Sequence, residues 1–314
     1  MNESSGDILD VLCIGETLID FISVNEASSL EQVERFHRSL GGSPANIAVQ
    51  VACLGGRAAI ASKVGAGAFG RFCRAGLERA GVETTYLVMD PAVHTTVVFV
   101  SRTAGTPDFE VFRAGDAGLN ASEVPAEALR RARAVHASTF ALSREPCRSA
   151  VISLLEMAAG QGLVVSLDPN YHPSIWPDRD EALGFLGRLL PSITVTKPSL
   201  DDARRLFGPG YQAEEYLDRF HAIGARSVVL TMGGEGVWLS TPEARTVLPP
   251  RHFTVENATG AGDAFWAGYL LALLDGQPVE VCGRFAQESV RRRLTGDVRR
   301  ISATERRLAY ETLT

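Results

Sequence analysis

The sequence predicts an α/β fold: a mostly parallel central sheet with helices on both faces, forming a three-layer sandwich, plus a small second sheet that serves as a lid. Beyond residue 125, short apolar segments alternate regularly with helical stretches, which is typical of a parallel sheet covered on both faces. Upstream, β-branched and aromatic segments at 95–101 and 109–113 flank the turn sequence TAGTPD and predict paired strands. With 314 residues, 45% of them hydrophobic, the chain can bury a large core.

The N-terminal part of the chain predicts strands around one well-marked helix. In GGSPANIA, Gly41 and Gly42 permit positive φ, Ser43 suits the N-cap and Pro44 suits the first helical position, so a helix begins at Pro44 and ends near Gly55. We expect a single domain over residues 1–314, in which strands at about 17–40 and 94–116 form the lid. The other elements predicted here are strands at 11–15, 18–24 and 57–64, a weakly alternating segment at 33–40, and a helix at 69–80.

The rest of the chain continues the alternation to its C-terminal helices. Apolar segments of strand length are each followed by a longer helical pattern, as in repeated βα units. The predicted strands are 134–138, 163–167, 193–196, 227–231 and a hairpin within 236–248, and the predicted helices are 146–159, 180–190, 199–206, 213–223, 278–294 and 302–310.

Charge and cysteine content exclude several classes of protein. The formal charge of −6, from 31 basic and 37 acidic residues, gives no broad basic field, so we expect neither nucleic acid nor a membrane as a partner. The basic run at 291–293 is expected to be a solvated helix face. Five cysteines without a CxxC pair suit a reducing compartment. The acidic N-terminus lacks a signal-peptide pattern, and no segment has the roughly 18 apolar residues of a membrane span, so a cytoplasmic location is expected.

The stretch NATGAGDAFWAG at 257–268 has the features of an anion-binding loop. It follows an apolar segment at 253–255 and leads into an apolar helix that ends near Leu274. Gly260, Ala261 and Gly262 carry little or no side chain, so several backbone N–H groups can converge on one anion at the helix N-terminus. Asp263 falls in the first helical turn, where the helix dipole favours an ionised carboxylate that can act as a base. A helix cap at Thr259 or Asp263 with a tight turn is the alternative interpretation.

Polar residues near the N-terminus are candidates for holding a hydroxylated ligand. Asp20 leaves a strand among apolar neighbours, where its carboxylate can accept hydrogen bonds from sugar hydroxyls. Gly41 and Gly42 allow a ligand to lie on the backbone, and the amide of Asn46 lies in the first helical turn. Turn and cap chemistry explains the glycines equally well but gives Asn46 no role.

A literal GxGxxG, formed by Gly65, Gly67 and Gly70, raises the possibility of a dinucleotide site. Such a site needs the motif at the first βα turn and an acidic residue about twenty residues later, and only Asp90, beside Pro91, is available. A nicotinamide-dependent oxidoreductase is therefore the main competing class of enzyme.

Two further loops follow predicted strands and are expected at the same sheet edge. They are DPNYHPSIWP and TMGGEG, and ordinary turns explain each of them taken alone. Because the carboxyl ends of parallel strands share one edge, their polar and glycine residues are expected to face the same crevice as the anion-binding loop. These residues are Asp168, Asn170, Thr231, Gly233 and Gly236.

With these residues in place, the chain resembles the PfkB, or ribokinase-like, family of carbohydrate and nucleoside kinases. GGSPANIA resembles the N-terminal signature of the family and NATGAGDAFWAG its C-terminal signature, and the resemblance spans nearly the whole chain in order. The segment VGAGAFG, which contains the GxGxxG, then resembles the VGxDxxG turn of the family.

The resemblance implies ATP-dependent phosphorylation of a hydroxymethyl group, with Mg²⁺ accompanying the ATP. Asp263 would be the base, and the amides of Gly260, Ala261, Gly262 and Asp263 would form the anion hole. A fixed positive potential of this kind suits phosphoryl transfer. By position, the sugar side would comprise Asp20, Gly41, Gly42, Asn46, Arg113, Asp168 and Asn170, and the nucleotide side Ser199, Thr231, Gly233, Gly236 and Gln287.

The metal and cation positions depart from the family pattern. Asn257 replaces an aspartate that often helps to bind a monovalent cation such as K⁺, so we expect a weaker dependence on that cation. Ser199 and Asp202 stand where many members have the Asn and Glu of an NxxE motif, and serine cannot fully replace an amide. The candidate metal-side residues are Asp202, Asn257 and Thr259.

The substrate is expected to be a small neutral sugar, most simply a ketohexose such as fructose. His172 stands where fructokinase-like and 2-keto-3-deoxygluconate kinase-like members often have arginine, and Val111 stands where the latter have tyrosine. Arg113, which resembles a substrate-side arginine in the ketose and ketodeoxy-acid kinases, is retained. A 2-keto-3-deoxygluconate kinase, a ribokinase or a nucleoside kinase remains an alternative, as does a non-catalytic sugar-binding relative. The resemblance also allows a homodimer formed through the lid.

Overall fold

A nine-stranded sheet forms the middle layer of the computed structural model, which describes residues 8–103, 108–251, 260–297 and 299–313. Six of its neighbouring pairs are parallel, and only the two pairs that involve β12 are antiparallel, so the predicted mostly parallel sheet is confirmed. Its order is β13-β12-β11-β10-β9-β8-β1-β4-β5. The strands are β1 (Leu9–Ile14), β4 (Ala58–Gly65), β5 (Leu87–Asp90), β8 (Ala132–Ser138), β9 (Val164–Asp168), β10 (Val195–Thr196), β11 (Val228–Thr231), β12 (Val237–Ser240) and β13 (Arg245–Leu248).

Helices cover both faces of this sheet and complete the three layers. Successive residues of β1 point to opposite faces, so that Val11 and Cys13 join one apolar core while Leu12 and Ile14 join the other. Among the described helices, none combines the length and the apolarity needed to span a membrane. One layer contains α1 (Ser43–Cys53), α2 (Ala68–Ala80), α9 (Ala261–Leu274), α10 (Val279–Leu294) and α11 (Ala303–Glu311), and the other contains α3 (Ala126–Arg130), α4 (Thr139–Leu142), α5 (Cys147–Gly160), α6 (Arg179–Leu189), α7 (Leu200–Phe207) and α8 (Ala213–Ala222).

The second sheet has four strands and corresponds to the predicted lid. It consists of β2 (Leu18–Glu26), β3 (Phe36–Gly41), β6 (Val97–Arg102) and β7 (Phe109–Phe112), in the order β3-β2-β6-β7. Asp20 on β2 lies in register with Ser39, with Val98 and, beyond Val98, with Val111. Residues in register share one face of a sheet, so these four side chains line the same surface of the lid.

The sequence missed some short elements. It assigned no strand to β5 and no helix to α3 or α4, because four or five residues carry too little periodicity to distinguish them from a loop. The predicted strand at 193–196 is only two residues long, since residues before it belong to the preceding turn. The apolar segment at 253–255 lies outside the described residues.

The GxGxxG glycines pack the base of the lid against β4 and α2. A Cβ atom on Gly70 would lie 1.8 Å from the carbonyl oxygen of Gly65, and the Gly65 N–H donates to Thr95 Oγ1 at 3.1 Å, just before β6. The acid required by a dinucleotide site is also engaged elsewhere, since Asp90 pairs with Lys63 at 3.6 Å and accepts the Ala92 N–H. Close packing therefore accounts for Gly65 and Gly70, whereas a Cβ atom on Gly67 would meet nothing within 4 Å.

We predict that Gly70→Ala destabilises the protein by about 1–3 kcal/mol, because the new methyl group meets backbone that must move. Urea unfolding would measure this change. Gly184→Ala in α6 is the matched control, since a Cβ there meets nothing within 4 Å and the higher helix propensity of alanine should stabilise by up to about 1 kcal/mol. Equal free energies of unfolding for the two variants would contradict the packing explanation.

Candidate active site

The N-terminus of α9 stands at the carboxyl edge of the parallel strands. Gly260 is its N-cap, with φ 79°, and the first helical hydrogen bond joins the Ala264 N–H to the Gly260 carbonyl. The N–H groups of Ala261, Gly262 and Asp263 therefore precede any intrahelical partner. This is the arrangement that an anion-binding helix terminus requires.

The carboxylate of Asp263 is held by the first turn of α1. Ser43 Oγ donates to Asp263 Oδ1 at 2.7 Å, and Asn46 Nδ2 donates to Oδ2 at 2.9 Å. Burial raises the pKa of Asp263, while these two hydrogen bonds and the charges of Lys197 and Arg293 act to lower it. Asp263 and Asn46 are thus brought together as predicted, whereas Ser43 was expected only to cap α1.

Asp20 approaches this pair from the lid. Burial and the nearby charge of Asp263 raise the pKa of Asp20 to about 7. A Cβ atom on Gly41 would lie 2.2 Å from Asp20 Oδ2, so a side chain at position 41 would displace the carboxylate. On Gly42, with φ 98°, a Cβ would lie 2.3 Å from the Glu16 carbonyl oxygen. Glycine at both positions allows the loop before α1 to pass beneath Asp20.

A buried ion pair lies on the other side of α9. Lys197 Nζ, just after β10, is 2.8 Å from Asp168 Oδ2 at the end of β9. Burial acts to lower the pKa of Lys197, but Asp168, Asp202 and Asp263 together outweigh it, and the pKa is raised. A Cβ atom on Gly262 would lie 3.5 Å from Lys197 Nζ, which puts this ammonium beside the free amides. One signal in the sequence could have identified Lys197, because this lysine directly follows an apolar strand at the carboxyl edge of the sheet.

Ser199 and Asp202 form a capping box at the start of α7. Ser199 N–H and Oγ both donate to Asp202 Oδ2, at 2.8 and 2.6 Å, and Ser199 Oγ accepts the Asp202 N–H. Burial and the charge of Asp168 raise the pKa of Asp202 to about 6. One oxygen of this carboxylate is therefore committed to the helix cap.

Three cavities meet at the N-terminus of α9. An apolar cavity of about 400 Å³ lies between the β11 end and α10, an acidic cavity of about 520 Å³ lies over the ion pair, and an arginine-lined cavity of about 450 Å³ lies between α1, the lid and α10. The residues that line the apolar cavity include Thr231, Gly233, Gly236, Ala261, Gly262 and Gln287. Those that line the acidic cavity include Asp168, Asn170, Lys197, Ser199, Asp202, Thr231, Gly233, Gly260, Gly262 and Asp263. Those that line the arginine-lined cavity include Asp20, Asn46, Gly260, Asp263, Arg292 and Arg293.

Some predicted site residues lie apart from these cavities. Arg113 pairs with Asp116 at 2.5 Å, with side chains only 2% and 0% exposed, and also donates to Ser143 and the Phe140 carbonyl. Gln287 lines the apolar cavity, but its Nε2 donates to the Pro249 carbonyl at 2.7 Å. Asn257 and Thr259 lie outside the described residues. The three arginines of the expected solvated run at 291–293 are half-buried or exposed, and Arg292 and Arg293 also line the cavity that contains Asp263.

Comparison with known proteins shows the family of this chain. A family model described as pfkB family carbohydrate kinase matches residues 9–290. The chain is 33% identical to an ATP-dependent 6-phosphofructokinase of Thermoanaerobacterium thermosaccharolyticum, over 85% of this chain and 82% of that protein. A solved fructokinase of Halothermothrix orenii matches with a TM-score of 0.79 and 38% identity, over 90% of this chain and 98% of the other. A fructokinase double mutant of Vibrio cholerae, with fructose, ADP and potassium ion bound, matches with a TM-score of 0.78 and 27% identity, over 90% of each chain.

We predict that Lys197→Met costs roughly 3–5 kcal/mol of folding free energy, because it leaves the buried Asp168 carboxylate without its counter-ion. Combining it with Asp168→Asn should restore part of the loss, and a double-mutant cycle from urea unfolding would measure the coupling.

Arg204→Met is the surface control for this cycle. Arg204 pairs with Asp201 at 3.5 Å with both side chains more than half exposed, so little change in stability is expected. Additive effects of Lys197→Met and Asp168→Asn would contradict a coupled buried pair.

Proposed function

Because the chain belongs to the pfkB family of carbohydrate kinases, we propose that it transfers the γ-phosphate of ATP to a hydroxymethyl group of a ketohexose such as fructose. The observation that carries the proposal is the position of Asp263, which lines both the acidic cavity and the arginine-lined cavity. A phosphoryl donor on one side and a hydroxyl acceptor on the other would meet at its carboxylate.

Asp263 is the proposed general base. As the acceptor oxygen attacks the γ-phosphorus, its O–H bond breaks and the proton moves to Asp263, while the bond between the γ-phosphorus and the bridging oxygen breaks to release ADP. The free amides of Ala261, Gly262 and Asp263 would hold the transferred group, and the buried Lys197 ammonium adds a fixed positive charge beside them. Asp20 and Asn46 would hold the sugar hydroxyls.

The apolar cavity is the proposed nucleotide side. Phe265, Val290 and Leu294 give it a largely apolar wall suited to a purine ring. Thr231 and Gly233 line both this cavity and the acidic one, so a nucleotide lying across them would direct its phosphates toward Gly262. Gly236 and Gln287 line the apolar part, and Ser199 lines the acidic part, which supports their predicted nucleotide-side roles.

Mg²⁺ would enter with the ATP. This ion is usually held by one or two carboxylates, several waters and the phosphates of its substrate. The described residues contain no group of three or more His, Cys, Asp or Glu suited to a resident metal, while Asp168 and Asp202 line the acidic cavity. These residues fit an ion carried on ATP, where it would neutralise charge on the phosphate oxygens. A monovalent cation such as K⁺, with Asn257 and Thr259 as candidate ligands, belongs to the same proposal.

The electrostatics of the lid favour a neutral acceptor. The guanidinium of Arg113, the residue best suited to a carboxylate substrate, is already neutralised by Asp116. Val111, in register with Val98 and Asp20, adds an apolar side chain to the lid surface where a polar contact would be expected for an acidic sugar. His172 packs its ring on Phe109 of β7, with ring centroids 4.5 Å apart, and burial lowers its pKa, which favours the neutral imidazole.

The other face of the lid supports a homodimer. Phe21 follows Asp20 on β2 and so points to the opposite face, where its ring stacks on Phe99 at 5.0 Å. Phe112 contacts Phe99 and is 53% exposed. This aromatic face is the proposed contact with a second copy. The proposed compartment is the cytoplasm, where ATP is available and where the five free thiols would stay reduced.

We predict that fructose gives a higher kcat/KM than 2-keto-3-deoxygluconate, in a panel that also contains ribose, a nucleoside and fructose 6-phosphate, because Arg113 is not free to bind the carboxylate of the keto acid. A coupled assay of ADP release would measure the rates at saturating MgATP. A higher kcat/KM for 2-keto-3-deoxygluconate would overturn the neutral-substrate proposal.

We predict that Asp263→Asn lowers kcat by roughly 10² to 10⁴, since it removes the base but keeps the size of the side chain. The KM for ATP should change little. If Asp263 only caps α9, the variant should instead lose about 1 kcal/mol of stability and keep near-normal turnover. Measuring kcat and the melting temperature on the same preparation separates the two roles.

A further inference from the structure

Ser43 directs its hydroxyl at the carboxylate of Asp263 instead of capping its own helix. Gly42 is the N-cap of α1 and provides no side-chain cap, and Ser43, the first residue of the helix, donates from Oγ to Asp263 Oδ1 at 2.7 Å. We propose that Ser43 is a positioning residue, which holds the Asp263 carboxylate in the orientation that accepts the proton of the sugar hydroxyl. This inference rests on the proposed role of Asp263 as base.

The backbone of Ser43 is fixed by the core sheet. Its N–H donates to Glu16 Oε1 at 3.1 Å, and the same carboxyl group accepts Ser138 Oγ, at 3.1 and 3.0 Å from its two oxygens. Glu16 follows β1 and Ser138 ends β8, so two neighbouring strands hold the first residue of α1. Ser43 is only 9% exposed. Its hydroxyl is therefore a fixed donor in a rigid frame.

Two donors from one helical turn define the plane of the carboxylate. The last torsion of an aspartate is intrinsically broad, so a single hydrogen bond from Asn46 leaves the group free to rotate. With Ser43 on Oδ1 and Asn46 on Oδ2, both oxygens have fixed positions. A carboxylate can accept about four hydrogen bonds, so acceptor capacity remains for the sugar hydroxyl.

Ser43 also stabilises the charged form of the base. Burial raises the pKa of Asp263, and the Ser43 hydrogen bond is the largest of the effects that oppose it, ahead of Asn46, Lys197 and Arg293. The other titratable groups that interact with Asp263 are Asp168 on β9, Asp20 on β2 and Cys13 on β1. Removing the Ser43 hydroxyl destabilises the carboxylate form of Asp263, so the pKa of Asp263 rises. Because the base must be ionised to accept a proton, activity is then lost at a higher pH as the solution is acidified.

The test compares Ser43→Ala and Ser43→Thr with the wild-type enzyme, using fructose, MgATP and a series of buffers. Ser43→Ala should lower kcat about 10- to 100-fold with little change in the KM for ATP, and should move the acid limb of the kcat profile to higher pH. Ser43→Thr keeps a hydroxyl and should recover most of kcat and return the acid limb toward its original position. Ser240→Ala, which removes a buried hydroxyl on β12 that is bonded to His221 of α8, is the control for stability and should leave the profile unmoved.

Two results would overturn the inference. One is a folded Ser43→Ala enzyme with wild-type kcat and an unmoved acid limb. The other is a loss of kcat in Ser43→Ala that parallels its loss of melting temperature and equals the loss of kcat in Ser240→Ala, with an unchanged pH profile. In that case the role of Ser43 is merely structural. If Ser43→Thr does not fold, the pH profile of Ser43→Ala still decides between these cases. Asp263→Asn separates the two proposals: full turnover in that variant refutes the base itself, whereas an inactive Asp263→Asn beside a normal Ser43→Ala refutes only the positioning role.

Discussion

The burial of α9 is the constraint on which the rest of the site depends. Its residues from Ala264 to Ala272 are all buried, so the helix is apolar on every side and is enclosed by the sheet, α1 and α10. Trp266 adds a polar contact inside this core, because its Nε1 donates to Ser166 Oγ on β9 at 2.8 Å. The buried body of the helix anchors its N-terminus, which favours free N–H groups that are in place before any ligand arrives. Preorganised donors of this kind need no rearrangement during reaction.

The same burial creates an electrostatic problem that the neighbouring elements resolve. Asp20, Asp168, Asp202 and Asp263 gather around the N-terminus of α9, and burial raises the pKa of each. The buried ammonium of Lys197 partly balances this negative charge. The neighbouring carboxylates raise the pKa of Lys197, so they favour its charged form. A site that is rich in carboxylates and has one buried ammonium is suited to a ligand that brings its own cation, as the proposed MgATP does.

The sequence predicted the fold where the signal was local or periodic. The alternation of apolar segments located most of the sheet, and the glycines before Asp263 and Asn46 located the loops that meet at its edge. It missed the contacts of Ser43 and Glu16 because they depend on residues that are distant in the sequence. Ser43 is 220 residues from Asp263, and Glu16 is 27 residues from Ser43. Arg113 illustrates the converse limit, since its position suggested a substrate contact while its charge is taken by Asp116, three residues away.

Three glycine-containing loops lead into helices of the same layer, and a different group approaches the glycines of each one. At the start of α2, the missing side chain of Gly70 lets this residue pack on the backbone of Gly65, close to Thr95 at the base of the lid. Before α1, they let Asp20 and the Glu16 backbone approach, while Ser43 and Asn46 turn toward Asp263. Before α9, they leave backbone amides open to the cavities. A glycine pattern at a helix N-terminus therefore indicates that another group approaches the backbone closely there. That group can be backbone, a carboxylate or a ligand, and the strand ends opposite the helix determine which one it is.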